Sequence, residues 1–155
     1  MLRTDLFKTV DRVVTRFIAV RDTLTKPGLE PTIRELDVLH CKQGRLGVGW
    51  HFVVLGTGTT QLGRNIETCG SHTKGQDDLS VAIGVVGGLD EEGTRALTRT
   101  TEQWQAIDDL VRFLQDRYPA ATVSDNPTPI TRHPRFNPKT LRRQNTWMIT
   151  PKIVL

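Results

Sequence analysis

Cysteine, histidine and uninterrupted apolar sequence are all scarce in this chain, and each shortage narrows what it can be. There are two cysteines in 155 residues, Cys41 and Cys69, and they lack the short spacing of a cysteine metal knuckle. With no secretory leader evident, two ordinary buried thiols are expected in place of a disulfide. Asp5, Lys8, Asp11, Arg12 and Arg16 interrupt the first twenty residues, so neither a signal-peptide core nor a membrane span is expected there. Histidine occurs four times, at His40, His51, His72 and His133, with no metal-type spacing between them. A glycine-rich phosphate loop is missing too: Gly56, Gly58 and Gly63 read as a hairpin, and Gly84, Gly87 and Gly88 as a strand end.

What is present is ordinary for one globular domain. Hydrophobic residues make up 37% and charged residues 25%, and the length suits a single core. The net charge of +4 comes from 21 basic and 17 acidic residues, with Arg132, Arg135, Lys139, Arg142, Arg143 and Lys152 gathered near the C-terminus. This segment suits an acidic partner, although a solvated helix face explains it equally well.

Local signals divide the chain into an N-terminal extension over 1–14, a body over 15–144 and an apolar tail over 145–155. The spacing predicts a strand over Arg16 to Val20, followed by the turn Thr25-Lys26-Pro27-Gly28. Thr32 to Glu35 forms a capping box ahead of a short helix whose apolar positions are Ile33, Leu36 and Leu39 or His40, with Gly44 closing it. Gly47-Val48-Gly49-Trp50 leads into the buried strand His51 to Leu55, which returns as a hairpin through Thr59 to Arg64. Leu79 to Val86 reads as a second buried strand. A second capping box, Thr100 to Gln103, opens a long helix to Tyr118 whose stripe Trp104, Ile107, Val111, Leu114 and Tyr118 must face a sheet. Pro119 stops it, and Asp125 to Pro129 reads as a stiff extended loop. The apolar end Trp147 to Leu155 calls for docking, on its own sheet or on a partner chain.

Taken in order, the first helix, Gly47 to Val54, Gly70 to Gly75, Ser80 to Asp90, the second capping box and His133 to Asn137 resemble the phage N-acetylmuramoyl-L-alanine amidases of the T-odd phage lysozyme type. That family shares its fold with peptidoglycan recognition proteins. The resemblance covers roughly Phe17 to Gln144. It implies an α/β domain, a mixed central β-sheet flanked by helices, and a zinc site with three protein ligands and an open position for water.

The ligand positions the resemblance implies are largely empty of donors. The histidine expected at the end of the first strand falls on Ala19. The second ligand falls within Ser124 to Pro127, where Asp125 is a weak candidate, and only His133, before Pro134, keeps a metal-capable side chain at the third. A lone histidine does not hold zinc usefully. Trp50 stands where the family has a tyrosine hydroxyl, and an indole can only donate. Arg132 can stabilise an oxyanion but is a poor proton shuttle.

The expectation is therefore a phage amidase-fold protein that has lost zinc hydrolysis, needs no cofactor, and serves as a virion structural, assembly or binding protein. A vestigial groove of Trp50, His51, His72, Lys74 and Arg132 would face any substrate. The alternative is a working zinc endolysin that cleaves peptidoglycan, and a third reading is a regulator that binds peptidoglycan or RNA polymerase. The expected partners are phage structural proteins or a second copy, engaged through the two extensions, with peptidoglycan next. Neither membrane nor nucleic acid is expected. Synthesis in the host cytoplasm, then incorporation in a virion or release by lysis, fits the lack of a signal peptide.

Overall fold

A computed structural model describes residues 15–125 and the backbone of Ile153–Val154. The elements are β1 (Phe17–Asp22), α1 (Ile33–Lys42), β2 (Phe52–Val54), β3 (Thr60–Leu62), β4 (Ser80–Val85), α2 (Thr101–Arg117), β5 (Thr122–Asp125) and β6 (Ile153–Val154). They form one mixed sheet in the order β5-β1-β4-β2-β3-β6. Strands β5, β1, β4 and β2 run parallel, while β3 returns antiparallel to β2 and pairs in parallel with β6. No helix of the described residues is long and apolar enough to cross a membrane.

Both helices start where their capping boxes place them. The Thr32 hydroxyl accepts the Glu35 amide while the Glu35 carboxylate accepts the Thr32 amide. Thr100 and Gln103 repeat the exchange at α2. Such caps satisfy donors that a helix start leaves orphaned. Gln103 does a second job, because its amide nitrogen donates to the Val86 carbonyl at 2.7 Å and seats the helix against the end of β4. In α1 the buried positions are Leu36 and His40, and Leu39 is exposed.

Alternation along the strands sorts two cores onto the two faces of the sheet. Ile18, Val20, Val81, Ile83 and Val85 point toward α2 and meet Trp104, Ile107, Leu110, Val111 and Leu114. Ala19, Ala82 and Val86 point the other way and meet Leu36 of α1, Val48 and Trp50. Ile18, Ile83, Ile107 and Leu114 are fully buried, and each such side chain contributes about 1.5–3 kcal/mol relative to exposure.

Three sequence expectations change here. The first strand runs on to Asp22, two residues past Val20. Thr122–Asp125 is a strand, so Asp125 ends β5 and does not begin a loop. Cys41 and Cys69 are both free thiols, but Cys41 is exposed and not buried. Of the tail, the backbone of Ile153–Val154 lies along the chain's own β3, with Thr60 opposite Ile153 and Gln61 opposite Val154. The extension over 1–14 lies outside the described residues.

Candidate functional site

Connectivity marks one place on this sheet. The chain leaves β1 through α1 to reach β2 on one side, and leaves β4 through α2 to reach β5 on the other. Because the two crossovers depart in opposite directions and over opposite faces, the carboxyl ends of β1 and β4 are a topological switch point, and the chains stay paired beyond it, Thr23 and Thr25 donating to the Val85 and Gly87 carbonyls. Open α/β sheets bind ligands at such a switch point. The register partners there are Arg21 with Gly84 and Asp22 with Val85.

On the α1 face, Trp50 forms the floor. Its indole lies against Gly84, where an added Cβ would stand 2.7 Å from Trp50 Cδ2. The His40 ring packs against the indole at a tilt, 4.6 Å between centroids, and His40 Nδ1 accepts the Gly49 amide at 3.0 Å. Asp37 Oδ1 takes the Val48 amide at 2.8 Å, and Arg64 Nε donates to the Val48 carbonyl at 3.1 Å. These bonds fix the loop that delivers Trp50, which is 6% exposed and whose Nε1 has no hydrogen-bond partner among the described residues.

The histidines divide into two kinds. His51 is fully spent: Nδ1 accepts the Ala82 amide at 3.0 Å, so Nε2 carries the proton and donates to the Thr68 carbonyl at 2.8 Å. At 1% exposure it joins β2 to β4 and cannot meet a substrate, which corrects its expected groove role. The His72 side chain is fully buried, with Nδ1 beside the Thr73 hydroxyl at 3.0 Å and Nε2 unbonded, 3.6 Å from Asp77. Burial pushes its pKa down to about 4, with Asp77 pulling the other way. Lys74 is exposed on the same loop.

On the α2 face, ion pairs close the end of the sheet. Arg99 donates to Asp22 at 2.8 Å and, through both terminal nitrogens, to the two Asp125 oxygens at 2.8 and 2.9 Å. The Arg99 side chain is 1% exposed, those of Asp22 and Asp125 are 6% and 10%, and the guanidinium stacks 4.9 Å over Trp104. Burial raises the Asp22 pKa, opposed by Arg99. Back on the α1 face, Arg21 donates to the Ser124 carbonyl and to its hydroxyl, tying β1 to β5.

Zinc fits these residues poorly. Ala19 is buried at the middle of β1, opposite Ala82 and Ser124, and is not at the strand end. The end itself carries Arg21 and Asp22, a cation and a carboxylate already held by Arg99. Both Asp125 oxygens already accept from Arg99. Among the described residues no three His, Cys, Asp or Glu side chains converge. Arg132 and His133 lie outside the described residues.

Arg21, Asp22 and Arg99 were not picked out by the sequence reading. A signal for the first two existed: two charges that end an apolar strand at its carboxyl end. Arg99, just ahead of a capping box, carried none.

No family model matches the chain. It is 35% identical over 104 residues to the endolysin of Enterobacteria phage K11, covering 67% of this chain and 69% of that protein. It is 36% identical over 112 residues to the endolysin of Klebsiella phage KP32, covering 72% and 74%. Among solved structures it is similar to the endolysin N-acetylmuramoyl-L-alanine amidase LysCS of Clostridium intestinale URNW, with TM-score 0.62 and 22% identity over 89% of this chain and 74% of that one. A human peptidoglycan recognition protein, PGRP-IBETAC, solved with glycosamyl muramyl pentapeptide, superposes with TM-score 0.60 and 16% identity over 72% and 71%. The chain belongs to the phage endolysins, built on the fold common to N-acetylmuramoyl-L-alanine amidases and peptidoglycan recognition proteins.

Proposed function

We propose that this protein binds peptidoglycan at the switch point beside Trp50 and does not cleave it with zinc. The observation that carries the reading is the Arg99 bridge between Asp22 and Asp125. A metal that sought Asp125 would first have to strip a buried guanidinium, and breaking such a pair costs about 3–5 kcal/mol. Arg21 adds a positive charge at the same strand ends, which repels a divalent ion and attracts an anionic ligand. The human neighbour with bound muramyl pentapeptide supports the choice of ligand class. Lys74, exposed near His72, supplies a further cation for an acidic polymer.

Working zinc hydrolysis is the second reading, favoured by the named endolysins at 35–36% identity. A virion assembly role draws less support than the sequence implied, because Ile153–Val154 pairs with β3 of its own chain. Purified protein is expected to pellet with isolated sacculi, to carry no dialysis-resistant zinc, and to release no muropeptides. Chelator-sensitive release of muropeptides would establish the hydrolase. Failure to pellet, with co-purification on virions, would establish the assembly protein.

A further inference from the structure

We propose that Arg21 is the carboxylate-binding residue of this switch point, gripping an anionic end of the ligand's peptide with the guanidinium edge that has no partner among the described residues. The proposal rests on the wall-binding reading and adds the ligand group and the residue.

Arginine has five N–H donors in a rigid planar fork. Arg21 Nη1 gives its two to the Val20 carbonyl, at 2.8 Å, and to the Ser124 carbonyl, while Nη2 gives one to the Ser124 hydroxyl at 3.1 Å. That engages the end of the guanidinium with a single residue of β5 and fixes its plane. The Nε–H and the second Nη2–H have no partner among the described residues. Side by side, those two donors match the two oxygens of a carboxylate, the strongest pairing an arginine makes.

Among the described residues the charge has no bonded counterion: the nearby carboxylates there are Asp22 and Asp125, and Arg99 holds both. Asp125 attracts Arg21 from a distance, whereas burial and Arg99 both disfavour its charged form. A half-buried cation whose neighbouring acids are spoken for gains most from an acid brought by a ligand.

Its position points the same way. Arg21 ends β1 at the switch point and is the register partner of Gly84, on which the Trp50 indole rests. Among the described residues Trp50 Nε1 is a buried donor without an acceptor, and His72 Nε2 is likewise buried and unbonded. Buried polar groups in folded proteins are almost always partnered, and of these three side chains the half-buried Arg21 is the one within reach of a ligand carboxylate.

The test uses the full chain and two probes in calorimetry: a muramyl pentapeptide with free carboxylates, and the same compound with every carboxylate amidated. Wild type should bind the free form at least tenfold more tightly. Arg21→Gln should erase that preference and leave the weak binding of the amide unchanged. Arg21→Lys, which keeps the charge but not the fork, should fall between, and a thermal melt of each variant verifies folding. Equal binding of the two probes by wild type, or an undiminished preference in Arg21→Gln, overturns the proposal. If neither probe binds but sacculi still pellet, recognition lies elsewhere and the Arg21 assignment fails alone. If sacculi do not pellet, the wall-binding reading fails with it.

Discussion

Replacing Arg99 with methionine removes one side chain and strands two. Asp22 and Asp125, 6% and 10% exposed in their side chains, lose the guanidinium that binds them. Breaking a buried pair by deleting one partner costs about 3–5 kcal/mol, a large part of a typical domain stability of about 5–15 kcal/mol. At about 3 °C per kcal/mol for a chain of this size, the melting temperature should fall by roughly 10–15 °C. Loss of the stacking on Trp104 adds to the deficit. The pH dependence has a definite sign. Burial raises the folded Asp22 pKa and Arg99 restrains it, so the variant's Asp22 takes up a proton at higher pH than in wild type. The cost of its charge is full above the folded pKa and vanishes below the unfolded value, so the deficit of Arg99→Met should be largest at pH 7 and shrink toward pH 4. Urea unfolding of both proteins across that range measures it, with Arg99→Met/Asp22→Asn/Asp125→Asn as the partner that should recover most of the loss. A deficit under about 1 kcal/mol at pH 7, or one that does not change with acid, refutes the claim that this cluster is a buried, mutually dependent charge network.

Gly84→Ala should destabilise by about 1–3 kcal/mol through overpacking, because its Cβ meets Trp50 Cδ2 at 2.7 Å and Cγ at 2.9 Å. In a Trp50→Leu background the same change should cost under about 1 kcal/mol, and equal costs in the two backgrounds would show that the indole does not lie on Gly84. His72, with its pKa lowered to about 4, should show no ring titration above pH 5 by NMR. Since its folded value lies below the ordinary 6.5, the stability it supports is complete above pH 6.5 and declines as pH falls toward 4; His72→Asn should flatten that decline, and a ring titrating near 6.5 would contradict the burial. His51 and His40, also lowered by burial, leave part of the slope in place.

Much of the scaffold was legible because its signals are local. Two capping boxes located α1 and α2, and the stripe from Trp104 to Tyr118 is the face that packs on the sheet. The end of β1 was misplaced because Arg21 and Asp22 look like loop residues until their partners are known, and Ser124, Arg99 and Asp125 lie far along the chain. The same distance hid β5: Thr122–Asp125 has one apolar residue, Val123, and is a strand by virtue of pairing with β1. A histidine in an apolar run carries no mark of its function either. What makes His51 a structural bolt is a pair of backbone groups, at Thr68 and Ala82, that no spacing rule links to it.

The first strand of the sheet must wait for its neighbours. Phe17 pairs with Ser80 on one side and Thr122 on the other, so Phe17-Ile18-Ala19-Val20 leaves the ribosome long before either partner exists. Pairing over such separations is slow, because loop closure precedes the reward. During that interval a short β-prone apolar segment is open to misassembly with other nascent chains. The Arg21-Asp22 dipeptide that follows it is the kind of charged gatekeeper that discourages such aggregation, so these two side chains guard the unfolded chain before they organise the folded one.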